Sequence, residues 1–407
     1  MDRDNRELIF DWNRQGEFAA PRSITLNDES LRDGLQSPSI TDPAIEEKVE
    51  LLHLMESLGI GMVNLGLPGA GPRAVADVRR LAEEIRDQKL NLRPNCAART
   101  VIRDIEPIKR IQDEVGVPIT AATFLGSSMI RQYTENWDIS WLLDCTVKAV
   151  DYCVKNELEC MFVTEDTTRA HPETIDKLYR TAIEHGARRV VVCDTAGHAT
   201  PHGVRQLIGH VKDIIASTGE EVTVDWHGHN DRGFGLINAL AAIEAGVDVV
   251  HASALGIGER CGNTSMDQLI VNLRLMGYLD EGVDLGLLPK YVEKVGEVCR
   301  VAIPRNYPVF GPDAFETATG VHAAAVIKAL KRGDTWLANR VYSGVPADVF
   351  GLTQSITVGP MSGRSNVIFW LETRGLEARP ELVDRIFERA KASATILTEE
   401  EIRAEIG

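Results

Sequence analysis

Residues 189–252 read RVVVCDTAGHATPHGVRQLIGHVKDIIASTGEEVTVDWHGHNDRGFGLINALAAIEAGVDVVHA. Three short runs rich in β-branched residues begin near Arg189, Glu221 and Val249, and long amphipathic stretches separate them. That alternation is the signature of βαβ units. The same pattern extends upstream, with strand starts near Ser23, Gly61, Leu92, Pro118 and Glu159. The mean repeat of about 32 residues is the length of one strand plus one crossover helix. Helix signals agree. Asp42-Pro43 places a proline suited to a first helical position, and Gly59, Gly186 and Gly246 stand where helices should stop.

Eight such units predict a (β/α)8 TIM barrel over residues 22–300. An extension over 1–21 precedes it. After Val301 the repeat ends, and Pro304, Pro308, Gly311 and Pro312 mark a linker into a small, mainly helical C-terminal subdomain over 301–407. Helices are expected there over 314–333 and, as one or two more, over 381–406.

In a barrel, chemistry belongs at the C-terminal ends of the strands, whereas a doubly wound sheet would favour one glycine-rich loop after its first strand. Polar residues follow the strands here: Asn27-Asp28-Glu29, Glu165-Asp166, Asp194-Thr195, and His227 with His229. Each alone reads as a cap for the next helix. In register at four strand ends, they read as a site.

His227 and His229 lie two apart on a strand, so both imidazoles emerge on one face, shared with Asp225. With Asp33, just past strand one, they form a candidate set for a divalent cation, Mg²⁺, Mn²⁺ or Zn²⁺. Two imidazoles and one carboxylate leave positions open for substrate oxygens.

Composition bounds the class. The chain has 407 residues, 44% hydrophobic and 26% charged, enough apolar mass for a large core. With 44 Lys and Arg against 60 Asp and Glu, the net charge of −16 repels phosphate backbones and anionic lipids, so neither nucleic acid nor a membrane is an expected partner. Seven cysteines in no close-spaced framework, and an N-terminus without a signal-type apolar stretch, predict a cytoplasmic protein.

The segments TLNDESLRDGLQSP, HGHNDRGFGLINALAAIEAG and GIGERCGNTSMDQL resemble the signature segments of the DRE-TIM metallolyase superfamily. Within it the chain is most similar to the branch holding 2-isopropylmalate, citramalate and homocitrate synthases, and the likeness runs from about residue 22 to 375. The resemblance implies a Claisen-type condensation of acetyl-CoA, as co-substrate, with a metal-bound 2-oxo acid, followed by thioester hydrolysis. It implies metal ligation by Asp33, His227 and His229, with Asn263 supporting or completing the shell. Arg32 would neutralise the developing alkoxide, Glu165 and His322 would act as a base pair, and Tyr342 falls at a catalytic tyrosine. Thr195 would contact the substrate carboxylate, and Gln36 counts among the substrate-binding residues. The family likeness also implies a homodimer.

There are departures. The usual RDGEQ is Arg32-Asp33-Gly34-Leu35-Gln36 here, and Asn64 stands where a glutamate is usual. The leucine form resembles the 3-hydroxy-3-methylglutaryl-CoA lyases, which opens a carbon–carbon lyase reading. Those enzymes use a cysteine in a longer loop, and they lack the subdomain that carries His322. The lost carboxylates also leave open a barrel that binds a metabolite without turnover. Arg131, at a position where homocitrate synthases meet a distal carboxylate, would read a diacid or a phosphorus-containing 2-oxo acid, or else face solvent or the CoA phosphates.

Overall fold

A strand covered on both faces needs apolar side chains at almost every position, and the valine-rich runs meet that demand. In the computed structural model, which describes residues 8–15, 23–279 and 282–406, they form eight strands. These are β1 (Thr25–Asp28), β2 (Met62–Asn64), β3 (Arg93–Arg99), β4 (Thr120–Gly126), β5 (Cys160–Glu165), β6 (Arg189–Asp194), β7 (Thr223–Gly228) and β8 (Val249–Ala252). Each begins within about two residues of the start expected from its β-branched run. All pairings are parallel and sequential, and β8 closes on β1 from Thr25–Val249 to Asp28–Ala252. The result is the expected eight-stranded barrel.

The crossovers are α1 (Ile45–Ser57), α2 (Pro72–Gln88), α3 (Ile102–Val115), α4 (Met129–Glu135), α5 (Ile139–Lys155), α6 (Pro172–Glu184), α7 (Pro201–Thr218), α8 (Gly235–Ala245) and α9 (Met266–Met276). Prolines open α2, α6 and α7, where the missing N–H costs no helical bond. One face of α6 buries Ile175, Leu178, Tyr179, Ala182 and Ile183, spaced at the helical period. The Tyr179 hydroxyl donates to the Val191 carbonyl at 2.9 Å and so ties this helix to β6. Inside the barrel, Met62, Ala122, Met161, Val191, Cys193 and Val249 form an apolar plug.

The chain divides into two compact units. One takes the residues up to Pro38 and those from Ile60 to the end of the segment at 279. The other joins Ser39–Gly59 to residues 282–406. The division therefore differs from the boundary expected at 300/301. Helix α1 packs with α10 (Leu288–Val298), the Lys294 ammonium meets Glu50 at 2.7 Å, and the Thr41 N–H donates to the Cys299 carbonyl at 3.0 Å. Long-range pairing decided this, and no local signal in the sequence marks it.

The second unit continues with β9 (Glu316–Thr317), α11 (Gly320–Lys331), α12 (Thr335–Ala338), β10 (Ser355–Ile356), α13 (Arg364–Glu372), α14 (Pro380–Ala392) and α15 (Glu399–Ala404). The helix expected over 314–333 is shorter because Glu316 and Thr317 pair with β10 instead. The stretch 381–406 resolves into two helices. Helix α1 starts at Ile45 with Ala44 as its cap, so Pro43 lies before the helix rather than at its first position. Of the extension expected over 1–21, residues 8–15 contain a short 3₁₀ turn, and the remainder lies outside the described residues. Among the described residues no helix is long and apolar enough to cross a membrane.

Candidate active site

Strand alternation turns Asp225 and His227 to the barrel interior, and His229 continues the same face just past β7, bridged to Asn263. The tight turn after β1 brings Asp33 to them. Its Oδ2 lies 3.8 Å from His227 Nε2 and 3.6 Å from His229 Nε2, and the two imidazole nitrogens face each other at 3.2 Å. All three side chains are buried. The Asn263 amide donates to Asp33 Oδ2 at 2.7 Å and to the Ile257 carbonyl at 2.9 Å, so it supports the carboxylate as a hydrogen-bond donor. The loop carrying Asn263 needs its glycines. A Cβ on Gly262, at φ +80°, would fall 1.8 Å from the Gly256 carbonyl oxygen, and one on Gly258 would strike the Asn263 amide.

Burial pushes the His227 imidazole down to about 3, and it lowers His229 as well. Both rings are thus neutral near pH 7, with lone pairs available to a cation. Burial works against ionisation of Asp33, but the adjacent Arg32 guanidinium outweighs it and keeps the carboxyl below its ordinary range. One carboxylate and two neutral imidazoles converging in this way are a donor set for a divalent cation.

A cavity of about 220 Å³ opens beside this group. Arg32, Asp33, Gln36, Glu165, Thr195, His227 and His229 all line it. Arg32 donates from Nε and Nη2 to Glu29 at 3.0 and 2.5 Å and from Nη1 to Asp33 at 2.8 Å. Burial raises the Glu165 carboxyl above its usual range, with Arg131 opposing and Asp166 reinforcing. The Thr195 hydroxyl oxygen accepts from the Asp166 N–H at 2.9 Å, which leaves its own proton free to donate. Ala97, Ala122, Met161, Val163 and Val191 make an apolar wall.

Not every polar strand end serves the cavity. Asp28 accepts from the Ser30 N–H at 2.7 Å, Asp166 pairs with Arg169 at 2.7 and 2.8 Å, and Asp194 accepts from the His198 and Ala199 N–H groups. These three are the caps and turn fasteners that each position alone suggests. Arg131 does not line the cavity. Its Nη1 meets Glu135 at 2.9 Å, its Nη2 stands 3.9 Å from Glu165, and its guanidinium lies over Trp137. In the second unit the His322 and Tyr342 rings stack at 4.1 Å and line a smaller polar pocket with Thr317, Thr319 and Gln354.

Glu29 of the strand-one end and Asn64 of the strand-two end also line this cavity, as does His251, which sequence reasoning did not single out. His251 sits between two carboxylates, with Nδ1 3.1 Å from Glu29 and Nε2 3.0 Å from Asp225. Burial opposes its charge, but the two hydrogen bonds prevail and hold it up at about 9. Its only sequence signal is a lone histidine in the apolar run VDVVHA.

The sequence matches the HMGL-like family over residues 23–295. Homocitrate synthase AksA of Methanopyrus kandleri is 30% identical over 377 residues, covering 92% of this chain and 89% of that protein. A probable 2-isopropylmalate synthase of the same organism is 32% identical over 374 residues, covering 91% of this chain and 70% of that protein. Among solved structures, the HMG-CoA lyase of Brucella melitensis superposes with a TM-score of 0.57 at 18% identity, over 69% of this chain and 99% of that one. At that identity the likeness is one of fold.

Proposed function

The chain belongs to the HMGL-like family, and from that premise we propose that it condenses acetyl-CoA with a 2-oxo acid at the C-terminal mouth of the barrel. The observation that carries the reading is the convergence of Asp33, His227 and His229, with Arg32 alongside, on a cavity that Glu165 also lines. In the reaction the acetyl methyl group loses a proton and its carbon bonds to the keto carbon. The keto oxygen becomes a hydroxyl, and water then cleaves the thioester to free CoA.

A divalent cation held by Asp33, His227 and His229 would supply Lewis acidity toward the keto and carboxylate oxygens. Arg32 uses three of its five N–H donors on Glu29 and Asp33, and at the cavity it lines, two remain for the oxygen that becomes negative. Glu165, with its raised carboxyl, is matched to accepting the methyl proton. Thr195 donates to the substrate carboxylate, and Gln36 contributes a second polar contact. His322, proposed as a second base, and Tyr342, stacked on it, line their own pocket in the second unit. The apolar wall supports a 2-oxo acid with a compact aliphatic side chain; Arg131, paired with Glu135 and 3.9 Å from Glu165, is not among the residues that line it.

The test is thiol release from acetyl-CoA with Mg²⁺ or Mn²⁺ against pyruvate, 2-oxoisovalerate, oxaloacetate, 2-oxoglutarate and phosphonopyruvate. Release with an aliphatic member supports the reading. A preference for a diacid or the phosphonate returns Arg131 to the substrate, and no release with any member overturns the condensation.

A further inference from the structure

The described part of the barrel holds one buried carboxylate at the cavity that the proposed reaction does not use. Glu29 is 1% exposed, and five donors surround it. Its Oε1 accepts from Asn27 at 2.8 Å and Asn64 at 3.5 Å, and stands 3.1 Å from His251 Nδ1; its Oε2 takes both the Nε and the Nη2 of Arg32. Arg32 joins this carboxylate to Asp33. The order Asp225, His251, Glu29, Arg32, Asp33 is a chain of alternating charge that ends at the cation-binding group.

The guanidinium is therefore shared between two carboxylates, unequally. Glu29 takes two donors in the fork geometry that Arg and carboxylate prefer, and Asp33 receives one, on Oδ1. Asp33 Oδ2 faces His227 and His229 and accepts one bond, from the neutral Asn263 amide at 2.7 Å. Were the fork to close on Asp33 instead, a fixed positive charge would cover both of its oxygens and compete with a divalent cation for them. Glu29 is not itself suited to ligate with His227 and His251, although the three lie close enough. Both ring nitrogens of His251 are engaged with carboxylates and present no lone pair.

We propose that Glu29 is a positioning residue: it holds the Arg32 guanidinium away from Asp33 Oδ2, so that Asp33 remains open to the cation while Arg32 stays at the cavity wall. The assignment rests on the cation reading of the site, and the test separates the two. Mn²⁺ binding to the metal-stripped full chain is measured by calorimetry for the wild type, Glu29→Gln, Arg32→Met and the double variant, each checked by circular dichroism and its unfolding midpoint. Glu29→Gln is expected to weaken Mn²⁺ binding about tenfold or more, as loss of a residue supporting a ligand does. Arg32→Met in the same background removes the competing charge, and binding returns to within about threefold of wild type. Should Glu29→Gln not fold, Glu29→Asp, with its carboxylate one methylene short, gives the same ordering at smaller size.

Unchanged binding in both Glu29 variants overturns the assignment. So does a double variant as weak as Glu29→Gln alone, since that would make Glu29 a ligand or a purely structural group. Absence of saturable Mn²⁺ binding by the wild type overturns the cation reading, and this inference with it.

Discussion

Asn263→Ala isolates the support given to Asp33. The amide N–H lies 2.7 Å from Asp33 Oδ2, a hydrogen bond to a charged group, worth about 1.5–3 kcal/mol. At roughly 1.4 kcal/mol per factor of ten, its loss weakens the carboxylate's hold on a cation about 10- to 100-fold. The fold should lose no more than that bond. The Ile257 carbonyl, the second acceptor of this amide, keeps the Ser253 hydroxyl at 2.6 Å, and the Asn263 Oδ1 removed is a buried oxygen with no hydrogen-bond partner. The backbone bond from the Asn263 N–H to the Gly256 carbonyl is untouched. Unfolding in urea should therefore change by about 1.5–3 kcal/mol, the worth of the lost bond alone. Calorimetric titration of the metal-stripped protein with Mn²⁺, beside the urea curve, reads both quantities. A dissociation constant within twofold of wild type would refute the assigned support. A stability loss of several kcal/mol would instead make Asn263 a loop fastener first.

Other positions give independent checks. Gly262→Ala places a Cβ inside the Gly256 carbonyl at a left-handed φ, so it should destabilise by more than about 2 kcal/mol and abolish Mn²⁺ binding; a wild-type melting curve would contradict the loop geometry. Ala122→Leu fills the apolar wall, and KM for a branched 2-oxo acid should rise about tenfold or more while that for pyruvate rises less; equal effects on both would mean that the side chain does not lie there. His251 is held at about 9 against an ordinary value near 6.5. Because the folded value is the higher one, its stabilisation is complete below about pH 6.5 and is lost as pH rises through 9, by roughly 3 kcal/mol. Urea unfolding at pH 6.5 and 9.5 should show that loss, and His251→Gln should flatten it; a pH-independent wild type would show that the pair of carboxylates does not hold a charged ring.

The barrel was legible because its evidence is local. A β-branched run followed by an amphipathic stretch specifies a strand and its crossover without reference to distant residues, and eight such units leave closure as the way to cover every edge. The grouping of His227 with His229 was legible for the same reason, since alternation alone puts them on one face. The strand ends were legible only as a set. Asp28, Asp166 and Asp194 carry the same residue chemistry as Glu29 and Glu165, yet turn to backbone N–H groups or Arg169. The neighbourhood of each carboxylate, rather than its identity, separates a cap from a cavity wall.

Sequence alone thus determined the elements, their order and the faces on which the histidines stand. Tertiary structure decided what those faces meet. Asp33 and His229 are far apart in the chain, and only closure of β8 on β1 brings the carboxylate to the imidazoles. Glu29, Asn64 and His251 come from the ends of β1, β2 and β8, and their mutual charges matter only once water is excluded from between them. The pairing of Glu316–Thr317 with Ser355–Ile356, which shortened the helix expected over 314–333, has the same origin. Periodicity is a property of neighbours along the chain, whereas hydrogen-bond partners and local dielectric arise from residues that only folding brings together.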